Sequence, residues 1–154
     1  MADEIDGVWV KPLRVIADER GRLMEVLRCD DQGFRAFGQV YLTTTYPGVV
    51  KAWHLHKVQE DNFSCVRGMV KLVLYDGRDG SSTRGNVKEY FIGDWNQLLV
   101  RVPAGVHHGW KCISVDEALV VNVPTMPYKY EAPDEYREPW DSEAIPYTWD
   151  IVFR

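Results

Sequence analysis

The sequence predicts an all-β domain, a sandwich or barrel of about ten short strands, and three observations lead to that fold class. Apolar and β-branched residues recur with a short period, in runs of about 4–9 residues that are mostly bounded by Gly, Pro, Asp or Asn. No stretch of about 12 or more residues keeps a helical period. The chain also has six Trp, eight Tyr and five Phe, and such large flat side chains fill the space between two sheets.

The predicted strands follow one another along the chain. They are 8–10, 13–15, 23–27, 37–45, 49–56, 63–66, 69–75, 87–92, 98–102, 110–113 and 118–123. Arg67-Gly68 and Asp76-Gly77 predict turns, and 79–82 predicts a longer loop. The tail 124–154 holds five of the eight prolines and four of the eight tyrosines. We therefore predict one domain over 1–154 whose tail wraps over the barrel, with the charged run 133–138 on a solvated surface or at a dimer contact.

Size and composition restrict the class of protein. The 154 residues fit one domain, and 45% hydrophobic with 27% charged residues exclude a disordered chain. No apolar run approaches the ~18 residues of a membrane span, and the acidic start MADEIDG does not resemble a signal peptide. A net charge of −5 argues against nucleic acid as the partner. Three scattered cysteines without a CxxC pair indicate reduced thiols and predict a cytoplasmic protein.

All four histidines fall in two short patches, which makes them the first candidates for function. His54 and His56 are two residues apart, and because side chains alternate along a strand they point to one face. Asp61 follows five residues after His56 and can return to that face across the barrel. In the second patch the turn 103–105 precedes His107 and His108 and lets the next strand deliver one of them inward. For His56 and His107 a purely structural role stays open, since one member of an adjacent pair usually faces solvent.

The two patches resemble the two sequence motifs of the cupin superfamily, whose fold is a double-stranded β-helix or jelly roll. In metal-binding cupins the first motif gives two histidines and an acid, and the second gives one histidine. The matching residues are His54, His56, Asp61 and His108, with Asp in place of the usual Glu. Three imidazoles and a carboxylate suit Zn, Mn, Fe or Ni. The resemblance therefore implies a cupin fold and, as an alternative to a site without a cofactor, a divalent transition metal.

A more specific resemblance extends in order over about residues 11 to 149. It is to the dTDP-4-dehydrorhamnose 3,5-epimerase family and rests on five segments and one glutamine. They are 18–25 (family DERGxFxE), Gln39, 51–54 (RGLH), 76–83 (DxR…SPT), 102–110 (IPxGFAHGF) and 143–149 (aIxIxW). The resemblance implies a nucleotide-sugar ligand, no cofactor, and a homodimer in which N-terminal strands pair across the interface.

Members of this family invert stereocentres beside the C4 ketone of a nucleotide-bound 4-keto-6-deoxy sugar, by removing and returning a proton. The resemblance implies that His54 is the base, which suits an imidazole at neutral pH, and that His108 is the second active-site histidine. The substrate-binding residues that it implies are Arg20 on the nucleotide diphosphate, Glu25, Gln39, Lys51 and Arg78. For Arg78 the alternative is a structural ion pair within its turn.

Three departures from the family pattern fall on the chemistry. Asp61 stands where the family has a lysine that stabilises the enolate, and Asn122 stands where it has a tyrosine acid. The family's aspartate partner for the histidine base follows the closing tryptophan, and we find no counterpart before the last residue, Arg154. His54 is therefore expected to lack a carboxylate partner. The candidates for a replacement acid are Tyr41, Tyr128 and Tyr130.

The sequence thus predicts an epimerase or isomerase of a nucleotide-diphospho-4-keto-6-deoxy sugar that works by proton abstraction beside the ketone. Two alternatives stay open. One is a metal-dependent cupin enzyme, a dioxygenase or an isomerase on an unrelated small molecule, that uses His54, His56, Asp61 and His108. In the epimerase itself, a metal at these residues could polarise the C4 ketone in place of the lysine. The other is a non-catalytic binder of sugar nucleotides. No nucleic-acid or membrane partner is expected.

Overall fold

The computed structural model describes residues 4–152 and places twelve strands in two five-stranded sheets and one hairpin. The strands are β1 (Trp9–Pro12), β2 (Val15–Asp18), β3 (Gly21–Met24), β4 (Tyr41–Thr45), β5 (Val50–Leu55), β6 (Asp61–Arg67), β7 (Met69–Asp76), β8 (Val87–Gly93), β9 (Leu98–Val102), β10 (Val106–Cys112), β11 (Ala118–Asn122) and β12 (Tyr136–Arg137). Sheet I has the order β1-β9-β6-β11-β4, sheet II the order β12-β5-β10-β7-β8, and β2 pairs with β3 alone. Every pairing is antiparallel.

The main core lies between the two sheets. Sheet I contributes Phe63 and Val100 to it, and sheet II contributes Leu72 and Leu74, all at most 2% exposed. Leu72 and Leu74 are two residues apart, so the period of two along β7 places both side chains on the inner face. This arrangement of facing antiparallel sheets confirms the predicted all-β jelly roll.

The tail covers the outer face of sheet II and forms a second, smaller core there. Trp53 of β5 and Val73 of β7 point outward into this core, where Ile145 and Trp149 cover them. The rings of Trp53 and Trp149 lie 5.0 Å apart. The backbone of Trp53 also exchanges two hydrogen bonds with Glu138, of 2.9 and 3.1 Å. Strand β5 is consequently covered on both faces, which fixes the strand that carries the first histidine patch.

Two predicted strands differ from expectation by four residues at their start, and the other predicted starts differ by at most two. Strand β10 begins at Val106, not at 110, so that His107 and His108 lie within it. Strand β4 begins at Tyr41, not at 37, because the chain before it follows the tail: the Gly38 N–H donates to the Pro124 carbonyl oxygen at 2.9 Å. A Cβ on Gly38 would lie only 2.1 Å from the Met126 backbone, so this close approach requires glycine. In the described part of the chain, no helix is long and apolar enough to cross a membrane.

A buried carboxylate organises the loop that follows β7. Asp76 is completely buried and accepts hydrogen bonds from Arg78 Nε and Nη2, both at 2.9 Å, and from the hydroxyls of Ser81 and Thr83, both at 2.6 Å. Burial by itself raises the pKa of Asp76, but these donors outweigh it and hold the pKa well below its usual range. The ionised carboxylate therefore stabilises the fold above its unfolded pKa of about 4, and this contribution is lost as the pH falls below that value.

We expect Asp76→Ala to lower the free energy of unfolding by about 3 kcal/mol, because it leaves the Arg78 guanidinium and two hydroxyls without their acceptor. Urea denaturation at pH 7 measures this change. Asp79→Ala is the matched control: Asp79 pairs with Arg84 at 2.6 Å, but its side chain is 90% exposed, and little change is expected. Equal effects of the two substitutions would contradict the structural role of Asp76.

Candidate active site

A cavity of about 430 Å³ opens between the two sheets and is covered in part by the tail. Sheet I contributes side chains from β4 and β6, and sheet II contributes them from β5 and β10. The lining residues are Gln39, Tyr41, Thr43, Lys51, His54, His56, Gln59, Asp61, Phe63, His108, Trp110, Tyr128, Tyr130, Glu135 and Arg137. The cavity thus brings together residues of both histidine patches and most of the catalytic, substrate-binding and metal-ligating residues that the sequence predicts.

A bulge in β5 places an additional side chain in the cavity. His54 lies opposite His108 on β10, but Lys51 lies opposite Trp110, so three steps along β5 match two steps along β10. This extra residue shifts the alternation of side chains. As a result Lys51 lines the cavity together with His54 and His56, while Trp53 points into the outer core.

His54 is paired with a carboxylate from the tail. Its Nδ1 lies 3.5 Å from Glu135 Oε1, and Arg137 in turn pairs with Glu135 at 2.7 Å. Strand β12 holds both tail residues there, because Arg137 is the ladder partner of His54 on β5. The expectation that His54 lacks a carboxylate partner is therefore wrong. Glu135 precedes the closing tryptophan in the sequence. It belongs to the charged run 133–138, which we predict on a solvated surface or at a dimer contact.

Burial, the charge of His108 and the charge of Arg137 lower the pKa of His54 to about 4, while Glu135 acts in the opposite direction. At neutral pH His54 is consequently an uncharged imidazole. In the tautomer with the proton on Nδ1, the nitrogen beside Glu135, Nε2 carries the lone pair. This is the state that a general base requires.

Asp61 lies between two imidazoles. Its Oδ2 is 3.1 Å from His56 Nε2 and 3.2 Å from His108 Nε2, and its Oδ1 accepts a hydrogen bond of 2.9 Å from Gln59 Nε2. Burial alone raises the pKa of Asp61, but the two imidazoles outweigh it and the pKa lies well below its usual range. Asp61 therefore faces the histidines from the opposite sheet, as the spacing predicts.

Three of the four predicted metal ligands come together. One donor atom each from His56, Asp61 and His108 lies within 4.8 Å of the other two, so these residues can hold a metal ion. His54 does not belong to this group, although its ring stacks on that of His108 with the centroids 5.9 Å apart. His107 lies on the other side of β10, with its ring 5.8 Å from that of Tyr75.

Tyr41 is held by the residue that occupies the expected place of the tyrosine acid. Tyr41 on β4 and Asn122 on β11 are direct ladder partners, and Asn122 Nδ2 donates a hydrogen bond of 2.9 Å to the Tyr41 hydroxyl. The Asn122 amide is fixed in turn, because its Oδ1 accepts from the Asn62 N–H at 3.0 Å. Burial and the negative charge of Asp61 raise the pKa of Tyr41 to about 12. Its phenol is thus protonated at neutral pH and keeps its own proton available for donation.

The remaining predicted residues divide between the cavity and the rest of the surface. Gln39, Lys51 and Tyr128 line the cavity, and Lys51 Nζ donates to Thr43 Oγ1 at 2.9 Å and to the Thr44 carbonyl at 2.6 Å.

Arg20, Glu25 and Arg78 do not line this cavity. Arg20 pairs with Asp18 in the β2–β3 turn and Glu25 pairs with Arg28. Arg78 pairs with the buried Asp76, which favours the structural alternative for this residue.

Sequence reasoning missed Gln59, Glu135 and Arg137 as cavity residues. Gln59 precedes Asp61 by two residues, and Glu135 precedes Arg137 by two, so in each pair a period of two places both side chains on one face. That alternation is the only local signal, and it is weak because charged residues at this spacing are common on exposed strands. What places Glu135 in the cavity is the pairing of β12 with β5.

A jelly roll whose two sheets enclose paired imidazoles and carboxylates in one cavity defines a cupin-fold protein suited to proton chemistry on a small ligand. Within that class the chain belongs to the dTDP-4-dehydrorhamnose 3,5-epimerase family, whose family model matches residues 2–153. The match confirms the resemblance found in the sequence.

Similar proteins cover nearly the whole chain. The spore coat polysaccharide biosynthesis protein SpsL of Bacillus subtilis is 39% identical over 150 residues, which are 97% of this chain and 99% of that protein. The probable low-salt glycan biosynthesis epimerase Agl13 of Haloferax volcanii is 43% identical over 148 residues, 95% of each. Among solved structures, a dTDP sugar isomerase from Desulfovibrio desulfuricans G20 superposes with a TM-score of 0.89 at 33% identity, and the alignment covers 94% of this chain and 92% of that one.

Proposed function

We propose that the protein is an epimerase of a nucleotide-diphospho-4-keto-6-deoxy sugar that acts by proton removal and return beside the ketone. One observation carries this proposal: His54 on sheet II and Tyr41 on sheet I line the same cavity. His54 is paired with Glu135, and Tyr41 accepts a hydrogen bond from Asn122. A sugar ring between the sheets would meet a base on one face and an acid on the other. Membership in the epimerase family supports the same reaction.

In this reaction His54 Nε2 takes the proton from the carbon beside the ketone, and the electron pair moves to the ketone oxygen to give an enolate. The imidazolium that forms is stabilised by the carboxylate of Glu135, which also fixes the tautomer before the reaction. The Tyr41 hydroxyl then gives its proton to the opposite face of the same carbon. One C–H bond breaks and one forms, and solvent restores the protonation states of both residues.

The cavity also holds groups that suit the nucleotide part of such a substrate. Lys51 and Arg137 are cations at its wall and can pair with the diphosphate. Tyr128 and Tyr130 form an edge-to-face pair with centroids 5.1 Å apart, which offers an aromatic surface for the base. This use of Tyr128 is an alternative to its role as the acid.

We expect His54→Gln to abolish solvent deuterium uptake into dTDP-4-keto-6-deoxyglucose, because it removes the imidazole that is paired with Glu135. Glu135→Gln should reduce kcat by about 10²-fold or more, since the imidazolium loses its counter-charge.

Because the pKa of His54 is lowered to about 4, kcat/KM of the native protein should fall only as the pH approaches 4 and not near 6.5. Mass spectrometry of the sugar measures the uptake, and circular dichroism checks that the protein stays folded.

His107→Gln is the control for these variants, because His107 belongs to the second histidine patch and faces Tyr75 outside the cavity. It should leave exchange unchanged. Full exchange in Glu135→Gln would contradict the role of the pair.

Tyr41→Phe should separate exchange from inversion. His54 can still remove the proton and return deuterium to the same face, so the sugar becomes labelled while the epimerised product, followed by NMR, falls by about 10²-fold or more. Tyr128→Phe is the comparison and should retain inversion. The reverse pattern, with inversion lost only in Tyr128→Phe, would assign the acid to Tyr128.

We further propose a homodimer. Hairpin β2–β3 forms a sheet of its own, and large apolar side chains are exposed on it and on or beside β4. These are Ile16, Leu23, Phe37, Val40, Leu42 and Tyr46. An exposed apolar surface of this kind is typical of an interface, and a second copy that covers it would bring the hairpin residues Arg20 and Glu25 close to a partner.

A cytoplasmic location is supported by three free cysteines.

Leu42→Glu should shift the native protein from dimer to monomer in light scattering coupled to size-exclusion chromatography, because it places a charge on this surface. Leu42 is 62% exposed in the single chain. Val115→Glu is the control, since Val115 is 92% exposed in the loop between β10 and β11 and is not one of the six residues of the proposed surface. A native protein that is monomeric at all concentrations would contradict the proposal.

A further inference from the structure

We propose that a cavity on the outer face of sheet II binds a small aliphatic carboxylate, whose charged group lies between Lys71 and Lys111. The cavity measures about 690 Å³ and lies over the adjacent strands β10, β7 and β8, beside the last described part of the tail. It shares no lining residue with the candidate active site between the sheets. The proposal therefore concerns a second site and does not rest on the proposed function.

Two lysines face each other in this cavity. Lys71 of β7 and Lys111 of β10 are direct ladder partners, and both line the cavity. Directly opposite residues on neighbouring strands have Cβ atoms about 5 Å apart, and like charges in this position destabilise the pair. Lys71 is moreover only 7% exposed, although a lysine is rarely buried without a partner. The protein therefore holds two positive charges together at a place where water screens at least one of them poorly.

The described residues satisfy the two ammonium groups unequally. Lys111 Nζ donates a hydrogen bond of 2.9 Å to the carbonyl oxygen of Trp149. Lys71 Nζ makes no hydrogen bond to a residue in 4–152, and its ion-pair partner, Glu89 Oε1, lies 3.8 Å away. That oxygen already accepts a hydrogen bond of 2.5 Å from the Tyr147 hydroxyl. The rings of Tyr147 and Trp149, centred 5.3 and 5.9 Å from Lys71 Nζ, attract its charge but offer no acceptor in the plane of a lone pair. Lys71 is thus a nearly buried donor in the cavity wall that lacks an acceptor.

The charge balance of the cavity selects a ligand with one negative charge. Its wall carries the two ammonium groups and the single carboxylate of Glu89, which leaves one positive charge in excess. Asp150, a further carboxylate near Lys71, does not line the cavity and is exposed to water, which screens its charge. Burial lowers the pKa of Lys71 and the charge of Lys111 adds to this effect, while Glu89 opposes it only in part. A carboxylate offers one oxygen to each ammonium group, whereas a phosphate dianion would bring a second negative charge against Glu89.

The rest of the wall is largely apolar and indicates the other part of the ligand. Phe91, Ile113, Ile151 and Val152 line the cavity and are exposed in the single chain. A hydrocarbon chain that covers these side chains removes apolar surface of both partners from water. Each additional CH₂ group that is buried in this way raises the affinity by about fourfold. The cavity therefore combines a single point for an anion with an apolar wall, which is the complement of an aliphatic carboxylate.

The test is a ligand-detected NMR titration of the native protein with octanoate below its micelle concentration. The probes of equal length are 1-octanol, which is uncharged, and octylammonium, which is a cation. Octanoate should bind at one site per chain and at least 10-fold more tightly than either of them, because only its carboxylate can pair with both lysines. Hexanoate and butanoate should bind progressively more weakly, by about fourfold for each CH₂ group removed.

Lys71→Met and Phe91→Glu should each weaken octanoate binding by about 10-fold or more, because the first removes an ammonium group and the second adds a carboxylate beside it. Phe91 is exposed and is the ladder partner of Lys71 on β8, so Phe91→Glu leaves the core intact. Lys88→Met is the matched lysine control, since Lys88 pairs with Glu4 and does not line the cavity. Lys51→Met removes a cation from the cavity between the sheets and should leave octanoate binding unchanged.

Three results would overturn the site. They are octanoate binding no tighter than that of 1-octanol, equal octanoate affinity in the native protein and in Phe91→Glu, and loss of binding in Lys51→Met but not in Lys71→Met. The last result would place the carboxylate in the cavity between the sheets. Circular dichroism of each variant separates loss of the ligand from loss of the fold. None of these measurements uses a sugar nucleotide, so their outcome is independent of the outcome of the deuterium-uptake assay.

Discussion

Much of the cavity depends on the anchoring of one tail residue, Asp134. Its carboxylate accepts hydrogen bonds from three consecutive backbone N–H groups, those of residues 57–59, at 2.8–2.9 Å, and so fixes the connection between β5 and β6. Its carbonyl oxygen faces the His56 ring, and the next residue, Glu135, pairs with His54. A single anchored turn of the tail therefore sets the orientation of both histidines of the first patch, which is why the tail is part of the site and not a covering layer alone.

Two chemical groups expected from the family, a carboxylate beside His54 and a tyrosine, are present in this cavity, but they come from other elements. The carboxylate is Glu135, directly before β12, and the tyrosine comes from β4, directly across the ladder from the asparagine that stands in its expected place. Asn122 cannot donate a proton to carbon, but its amide donates to the Tyr41 hydroxyl and fixes it. A cavity enclosed by two sheets permits such exchanges, because neighbouring strands present side chains to the same space at distances of a few ångströms.

The sequence predicts the parts of this structure that depend on local periodicity. The common face of His54 and His56 follows from alternation along a strand, and the return of Asp61 from the opposite sheet follows from its spacing of five residues after His56. Lys51 could not be placed in this way, because the bulge opposite Trp110 interrupts the alternation. Glu135 could not be placed either, since its position results from the pairing of a two-residue strand with β5 far away in the sequence. Long-range pairing of short edge strands leaves little trace in local composition.

The three histidines in the cavity differ in what stands behind Nδ1, and that difference assigns their chemistry. Behind His54 is a carboxylate, which gains a favourable charge interaction when the ring takes up a proton, so this ring is suited to act as a base. Behind His56 and His108 are backbone carbonyls, and on their other side both rings face the carboxylate of Asp61 at 3.1 and 3.2 Å. Burial lowers the pKa of His56, but Asp61 outweighs burial and raises it. Neighbouring imidazoles in one small cavity thus differ in their chemistry, because the groups at their two ring nitrogens differ.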